Sequence, residues 1–271
     1  MPETNYIITS GWWCDNDSSD DREKKLGASA LRNVEFFPEW YRSIVENCSP
    51  AKILVVDSAS PIKPKEETFE KVHFLSLDRN PGHPTKHFGL YSGVTYAHVI
   101  GMIYAMLEGF EYWVYIEQDV LIAGKGIVEY AISFMKKDIM FGSGVGTPQP
   151  MQQSFMIMKT SAIPDFIRKL HRIGYRDNSV SPEMKFSIAA SPLLNKFPDK
   201  LCRFLLAKNL SGRLVKRLFD TVSVGRFKGY TDLPFGYGRS RPIDFSDEYF
   251  YFQHGTEKEL SRYREKCCWS Q

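Results

Sequence analysis

Tyr112-Trp113-Val114-Tyr115-Ile116-Glu117-Gln118-Asp119-Val120-Leu121-Ile122 is the stretch whose reading decides the fold. An apolar, β-branched and aromatic run stops at two carboxylates one residue apart, and apolar residues resume at once. In a strand, residues i and i+2 share a face, so Glu117 and Asp119 are expected to project together at the end of a buried strand. Two like charges there are costly unless something cationic neutralises them. Oxygen ligands of this kind suit Mg²⁺ or Mn²⁺, commonly held by one or two carboxylates plus the phosphates of a substrate. The pattern points to a metal-nucleotide site.

Outward from that stretch, short apolar runs at 6–10, 53–56, 72–77, 139–142 and 154–158 read as further strands. The run at 53–56 is continuous, as in a parallel strand buried on both faces, and ends at Asp57. Between the runs lie segments of helical spacing. Residues 28–46 set Leu31, Val34, Phe37, Trp40, Tyr41, Ile44 and Val45 on one side, with Pro38 at a break or first turn. Helices are also expected over 92–109, 126–136 and 164–173, the last with Pro164 in its first turn. Alternating strands and helices predict an α/β layer with a mostly parallel central sheet flanked by helices. The last third changes character. Residues 193–219 are basic and apolar together, 221–244 are rich in Gly and aromatics, and a strand over 248–254 precedes a polar helix over 257–266.

A chain of 271 residues can bury one sizeable core. A net charge of +3 is too small to argue for nucleic acid as a partner. The five cysteines, Cys14, Cys48, Cys202, Cys267 and Cys268, are odd in number and lack a zinc-type Cys-x-x-Cys spacing. They read as reduced thiols of a cytoplasmic protein. Residues 1–5 show neither a basic nor an apolar signal-peptide region, and no apolar run approaches the roughly 20 residues of a membrane span.

Ligands of open α/β sheets bind at the carboxyl ends of strands, and two strands here end in acid. With those pieces in this order, the chain resembles the nucleotide-sugar-dependent glycosyltransferases of the GT-A fold. Ile53-Leu54-Val55-Val56-Asp57-Ser58 looks like the family's second strand, whose terminal acid contacts base or ribose. Arg79-Asn80-Pro81-Gly82 and the small-residue helix through Ala97, Gly101 and Ala105 look like its N-x-G segment. Glu117-Gln118-Asp119 falls where the family keeps its D-x-D motif, with Glu replacing the first acid. The resemblance covers about residues 6–160 by element order. It implies a nucleotide-sugar-binding part over 1–160, and an acceptor and lid part over 161–271 of the same domain. Thr9, Ser10, Asp57, Asn80, Lys86 and Gln118 would hold the nucleotide, and Glu117 and Asp119 a Mn²⁺ or Mg²⁺ ion.

His254 is either a strand-end histidine bonded locally or, as the resemblance implies, a third metal ligand or diphosphate contact. The resemblance implies that Glu183, after Ser181-Pro182, is the base that takes a proton from an acceptor hydroxyl, with Asp177 as its competitor; a helix-start acid is the other reading. Lys86, with His83 and His87, follows the Asn80 turn and is a nucleotide contact or a solvated loop. Phe235-Gly236-Tyr237-Gly238-Arg239-Ser240-Arg241 is a diphosphate lid using Arg239 or Arg241, or a plain surface loop. Residues 193–219 are two amphipathic helices on the core, or a peripheral contact with an anionic membrane. The expected activity is sugar transfer from a nucleoside diphosphate sugar to a hydroxyl of a glycan or lipid-linked acceptor. The rivals are a nucleotidyltransferase of sugar phosphates and an inactive nucleotide-sugar-binding protein of the same fold.

Overall fold

A computed structural model describes residues 4–15, 27–196, 198–206 and 228–268. In chain order its strands are β1 (Tyr6–Trp12), β2 (Lys52–Asp57), β3 (Val72–Ser76), the hairpin β4 (Gly82–His83) and β5 (Lys86–His87), β6 (Tyr112–Ile116), β7 (Val120–Ala123), β8 (Ile139–Ser143), β9 (Met151–Lys159), β10 (Thr231–Asp232), β11 (Tyr237–Gly238) and β12 (Phe250–Gln253). Its helices are α1 (Phe37–Asn47), α2 (Gly93–Leu107), α3 (Ile127–Ser133), α4 (Ile163–His171), α5 (Pro182–Ala190), α6 (Pro198–Leu206) and α7 (Glu257–Lys266).

The spine is a seven-stranded sheet of order β10-β8-β9-β6-β1-β2-β3. Strands β6, β1, β2 and β3 are parallel neighbours, β10 is parallel to β8, and β9 runs antiparallel between β6 and β8. The sheet is therefore mixed and mostly parallel, with helices on both faces. Its central strands are sealed on both sides: Ile7, Ile8, Val55, Val56, Trp113 and Val114 expose nothing. One face meets Trp12, Phe37 and Trp40, and the other meets Met102, Phe166 and Phe186. α2 lies close on the second face. A Cβ at Gly101 would stand 2.7 Å from Thr9 Oγ1, so only glycine allows that approach.

A second, three-stranded sheet of order β11-β12-β7 positions the site. β12 pairs antiparallel with β7 and sets Gln253 opposite Val120. The chain's C-terminal part is thereby joined to the turn that carries the acids.

Several boundaries differ from expectation for physical reasons. The helix expected over 28–46 is two 3₁₀ turns (Ser29–Arg32 and Val34–Phe36) followed by α1, with extended Asn33 as the break and Pro38 in α1's first turn. β9 starts at Met151, so Gln152, Gln153 and Ser154 are strand residues. Glu117, Gln118 and Asp119 are not a strand end. They form a turn in which Val120 N donates to Glu117 O at 3.0 Å. The two carboxylates meet through that turn and β12, not through the pleat. Of residues 193–219, the described part is a 3₁₀ turn (Leu194–Lys196) and α6, with Cys202 fully buried; 207–227 lie outside the described residues. No helix among the described residues is long and apolar enough to cross a membrane.

His98 on α2 is fully buried, its ring 3.9 Å from that of Tyr115 and 5.1 Å from that of Phe186. Burial pulls its imidazole from 6.5 down to about 3. Between those values the unfolded chain binds more protons at this position than the folded one. Stability is therefore full above 6.5 and falls as pH drops toward 3. Urea midpoints measured across this window should decline on the acid side, and less steeply in His98→Leu. Equal slopes in the two proteins would clear His98 of the effect.

Candidate active site

The parallel strands β1, β2 and β6 end on one edge of the sheet, and antiparallel β9 begins there. Glu117 N donates to Ser154 O at 2.9 Å, which ties the acidic turn to the start of β9. Asp119 is 6% exposed. Gln253 Nε2 donates to Glu117 Oε2 at 2.7 Å and to Asp119 Oδ1 at 3.0 Å. His254 Nε2 lies 3.2 Å from Asp119 Oδ2. Of the three residues expected together, Glu117 and Asp119 meet through Gln253, and His254 lies against Asp119. Burial, and then the Asp119 charge, push the Glu117 carboxyl well above the usual carboxylate range. Burial pulls the His254 imidazole down to about 4; Arg239, Arg32 and Arg241 add to the fall while Asp119 opposes it. The ring is neutral at pH 7, the form that ligates a metal.

The two arginines of the 235–241 loop separate in role. Arg241 is consumed by structure. Its guanidinium pairs with Glu259 at 2.6 Å and donates to the carbonyls of Gly238, Ser240 and Gln253. Arg239 is held by its backbone N on Gln152 Oε1 (2.6 Å) and by its Nε on Gln253 Oε1 (3.0 Å). It lines a pocket with Thr147, Gln149, Gln152, Gln153, Glu183 and Gln253. Its charge reaches the acidic turn, lowering the pKa of Glu117 against the other effects.

The two acids expected to compete for the base role also separate. Asp177 is 3% exposed and saturated: it accepts from Ser92 N (2.7 Å), Ser92 Oγ (2.8 Å) and Thr95 Oγ1 (2.7 Å), and pairs with Lys185 Nζ (2.7 Å). It ties the first turn of α2 to α5. Glu183 stands in the first turn of α5, behind the N-cap Ser181, and is 7% exposed on the pocket. Among the described residues no hydrogen bond or ion pair holds its carboxylate. Its charge is felt at Glu117.

The expected nucleotide contacts are more dispersed. Thr9 is fully buried; its hydroxyl accepts from Trp113 Nε1 at 2.8 Å, so it packs the sheet against α2 and does not reach a cleft. Ser10 is 1% exposed, with its hydroxyl on Gly11 O. Asp57 ends β2 and accepts from Ser60 N at 2.9 Å, with Lys63 Nζ 3.5 Å away. Its carboxylate thus shapes the loop after β2. Gln118 pairs with the Trp13 main chain twice, at 2.7 and 3.1 Å, and fixes the end of β1 beside the acidic turn. Asn80 Oδ1 accepts from Gly82 N at 2.8 Å and makes the turn into the hairpin. Lys86 is exposed on β5.

Two carboxylates and a neutral imidazole are a sound donor set for a hard divalent cation, and a cation there would oppose the rise in the Glu117 pKa. As the side chains stand, Gln253 and His254 occupy the inward carboxylate oxygens. Among the described residues no three His, Cys, Asp or Glu side chains converge closely enough to hold a metal ion. Gln152, Gln153 and Gln253 were not singled out in the sequence. Their signal was polar residues in otherwise apolar strands, which a buried strand tolerates only with partners.

No protein-family model matches the sequence, and no curated protein sequence matches it significantly. Solved structures do resemble it. They include S. aureus TarS in complex with UDP-GlcNAc, at 14% identity and TM-score 0.42 over 69% of this chain and 53% of that one. The glycosyltransferase GlyE of Streptococcus pneumoniae matches at 10% identity and TM-score 0.41 over 68% and 42%. The mannosyltransferase PcManGT of Pyrobaculum calidifontis, in complex with GDP-Man and Mn²⁺, matches at 12% identity and TM-score 0.43 over 97% and 60%. The chain thus spans between 42% and 60% of the lengths of these three structures.

Lys185 is the fully buried partner of Asp177. Lys185→Met leaves that carboxylate buried without its cation and should lower unfolding free energy by about 3–5 kcal/mol. Denaturant titration reads it directly; a loss under about 1 kcal/mol, the scale of an exposed pair, would remove the pair from the framework.

Proposed function

We propose that the chain is a glycosyltransferase that moves a sugar from a nucleoside diphosphate sugar to an acceptor hydroxyl with the help of Mn²⁺ or Mg²⁺. The observation that carries the reading is one edge of the sheet where Gln253 links half-buried Glu117 and buried Asp119, with His254 on Asp119, to a pocket lined by Arg239 and Glu183. Glu117, Asp119 and His254 would hold the cation, which when bound neutralises the diphosphate as it departs. Arg239 offers a planar, permanently charged fork to the same diphosphate. Gln149 and Gln153 present uncharged amide groups suited to sugar hydroxyls, whereas Thr147 and Gln152 are spent on neighbouring backbone groups.

Glu183 supplies the proton acceptor. As the acceptor oxygen forms its bond to the anomeric carbon, the bond from that carbon to the diphosphate oxygen breaks, and the hydroxyl proton passes to the Glu183 carboxylate. A base on one side and cationic groups on the other divide the charge that develops. Asp177, bound by four donors, has no lone pair directed at a substrate. The basic part of residues 193–219 remains a candidate contact for a lipid-linked acceptor, against a glycan that enters from water.

Two measurements test the reading. Calorimetry with UDP-, GDP- and TDP-sugars, each with and without Mn²⁺, should find a donor whose binding needs the metal. Asp119→Ala should abolish that dependence while leaving the circular dichroism unchanged; unaltered affinity would remove the metal assignment. Glu183→Gln should leave donor binding intact and lower turnover by about 10²-fold or more. Full turnover in that variant would take the base role away from Glu183.

A further inference from the structure

Gln253 stands at the centre of the acidic site. It is 1% exposed. Its backbone is pinned opposite Val120 in β12 and accepts from Arg241 Nη2 at 2.8 Å. Its side-chain amide makes three hydrogen bonds. The two protons on Nε2 go to two different carboxylates, Glu117 at 2.7 Å and Asp119 at 3.0 Å, and Oε1 accepts from Arg239 Nε at 3.0 Å. Both donors and one of the two acceptor lone pairs of the primary amide are thus engaged. The amide therefore lies between the two groups that a bridging cation would join, and it is anchored from behind by the arginine that faces the pocket.

We propose that Gln253 is an internal stand-in for the divalent cation: its amide holds Glu117 and Asp119 together until a cation replaces it, and a diphosphate bound to Arg239 loosens it. The inference rests on the glycosyl-transfer reading of the site. Without a stand-in, the two carboxylates would repel and part. With it, a cation arriving alone must displace both hydrogen bonds, so it binds weakly. A diphosphate that draws the Arg239 guanidinium to itself removes the bond to Oε1, and the amide can swing clear. Cation and diphosphate then help each other bind, each by the same factor. Gln253 acts through the acids and Arg239, so it is a positioning residue.

The test is Mn²⁺ binding followed by calorimetry, without turnover. Wild type, Gln253→Ala and Gln253→Met are titrated with Mn²⁺ alone and then with UDP or GDP present; Met keeps the side-chain volume if the smaller residue impairs folding, which thermal melts will reveal. Both variants should bind Mn²⁺ alone about tenfold more tightly than wild type, a change of about 1.4 kcal/mol. The gain from added diphosphate should shrink by the same factor. Unchanged or weaker Mn²⁺ binding in the variants, with clear binding by wild type, would overturn the stand-in and make Gln253 a ligand or a bystander. Absence of Mn²⁺ binding from all three proteins, with or without diphosphate, would overturn the metal reading and the stand-in together.

Discussion

Everything at the working edge of this protein follows from one buried and one half-buried carboxylate held in one turn. Glu117 and Asp119 leave a sealed central strand and enter the sequence again as a sealed strand, β7, so water cannot compensate their charge from behind. Compensation has to come from protein, and the chain brings it from far away. The Gln253 amide is 136 residues from Glu117 and 134 from Asp119. The antiparallel pairing of β7 with β12 makes that meeting possible, because it fixes Gln253 beside the turn before any side chain is placed. α7 then holds the pairing from outside, with the Tyr263 hydroxyl donating to Ile122 O.

A second buried charge organises the opposite wall of the pocket. Asp177 gathers Ser92, Thr95 and Lys185, and so locks the start of α2 against α5. The ion pair contributes less as energy than as geometry, since burying both charges costs nearly what their attraction returns. Its consequence is the direction of α5, whose first turn presents Glu183 to the pocket two residues before Lys185. One acid is immobilised so that its neighbour can be presented unpaired.

Much of this was legible in the sequence, and the parts that were not share a cause. The strands and most helices could be read because burial on both faces writes continuous apolar runs, and 53–56 and 113–116 are such runs. The acids could be placed at a ligand site because strand ends carry ligands in α/β sheets, and the family resemblance added His254 to them. The assignment of Glu117 and Asp119 to a pleat failed because i, i+2 spacing is also compatible with a tight turn, and nothing local distinguishes the two. Thr9 was placed at the nucleotide because it closes a predicted strand; β1 in fact runs on to Trp12, leaving Thr9 under α2. Gln118 looked like a ligand and instead serves the Trp13 main chain. Each of these depends on a partner about a hundred residues away, which no local pattern reveals.

Polar residues of one type therefore have to be told apart by what hydrogen-bonding capacity they have left. Arg241 and Asp177 are spent on carbonyls, hydroxyls and buried charges, whereas Arg239 and Glu183 retain groups that face the pocket. Stability asks for the first kind, because an unsatisfied buried polar group is costly. Catalysis asks for the second, because a group already saturated cannot gain anything when charge develops on a substrate. Gln253 belongs to both kinds at once. It makes three side-chain hydrogen bonds as the protein stands, yet each of those partners is a group that a cation or a diphosphate would bind more strongly. A neutral amide that satisfies charged groups without neutralising them keeps the fold intact and leaves those charges available, which an arginine or lysine at the same place would not.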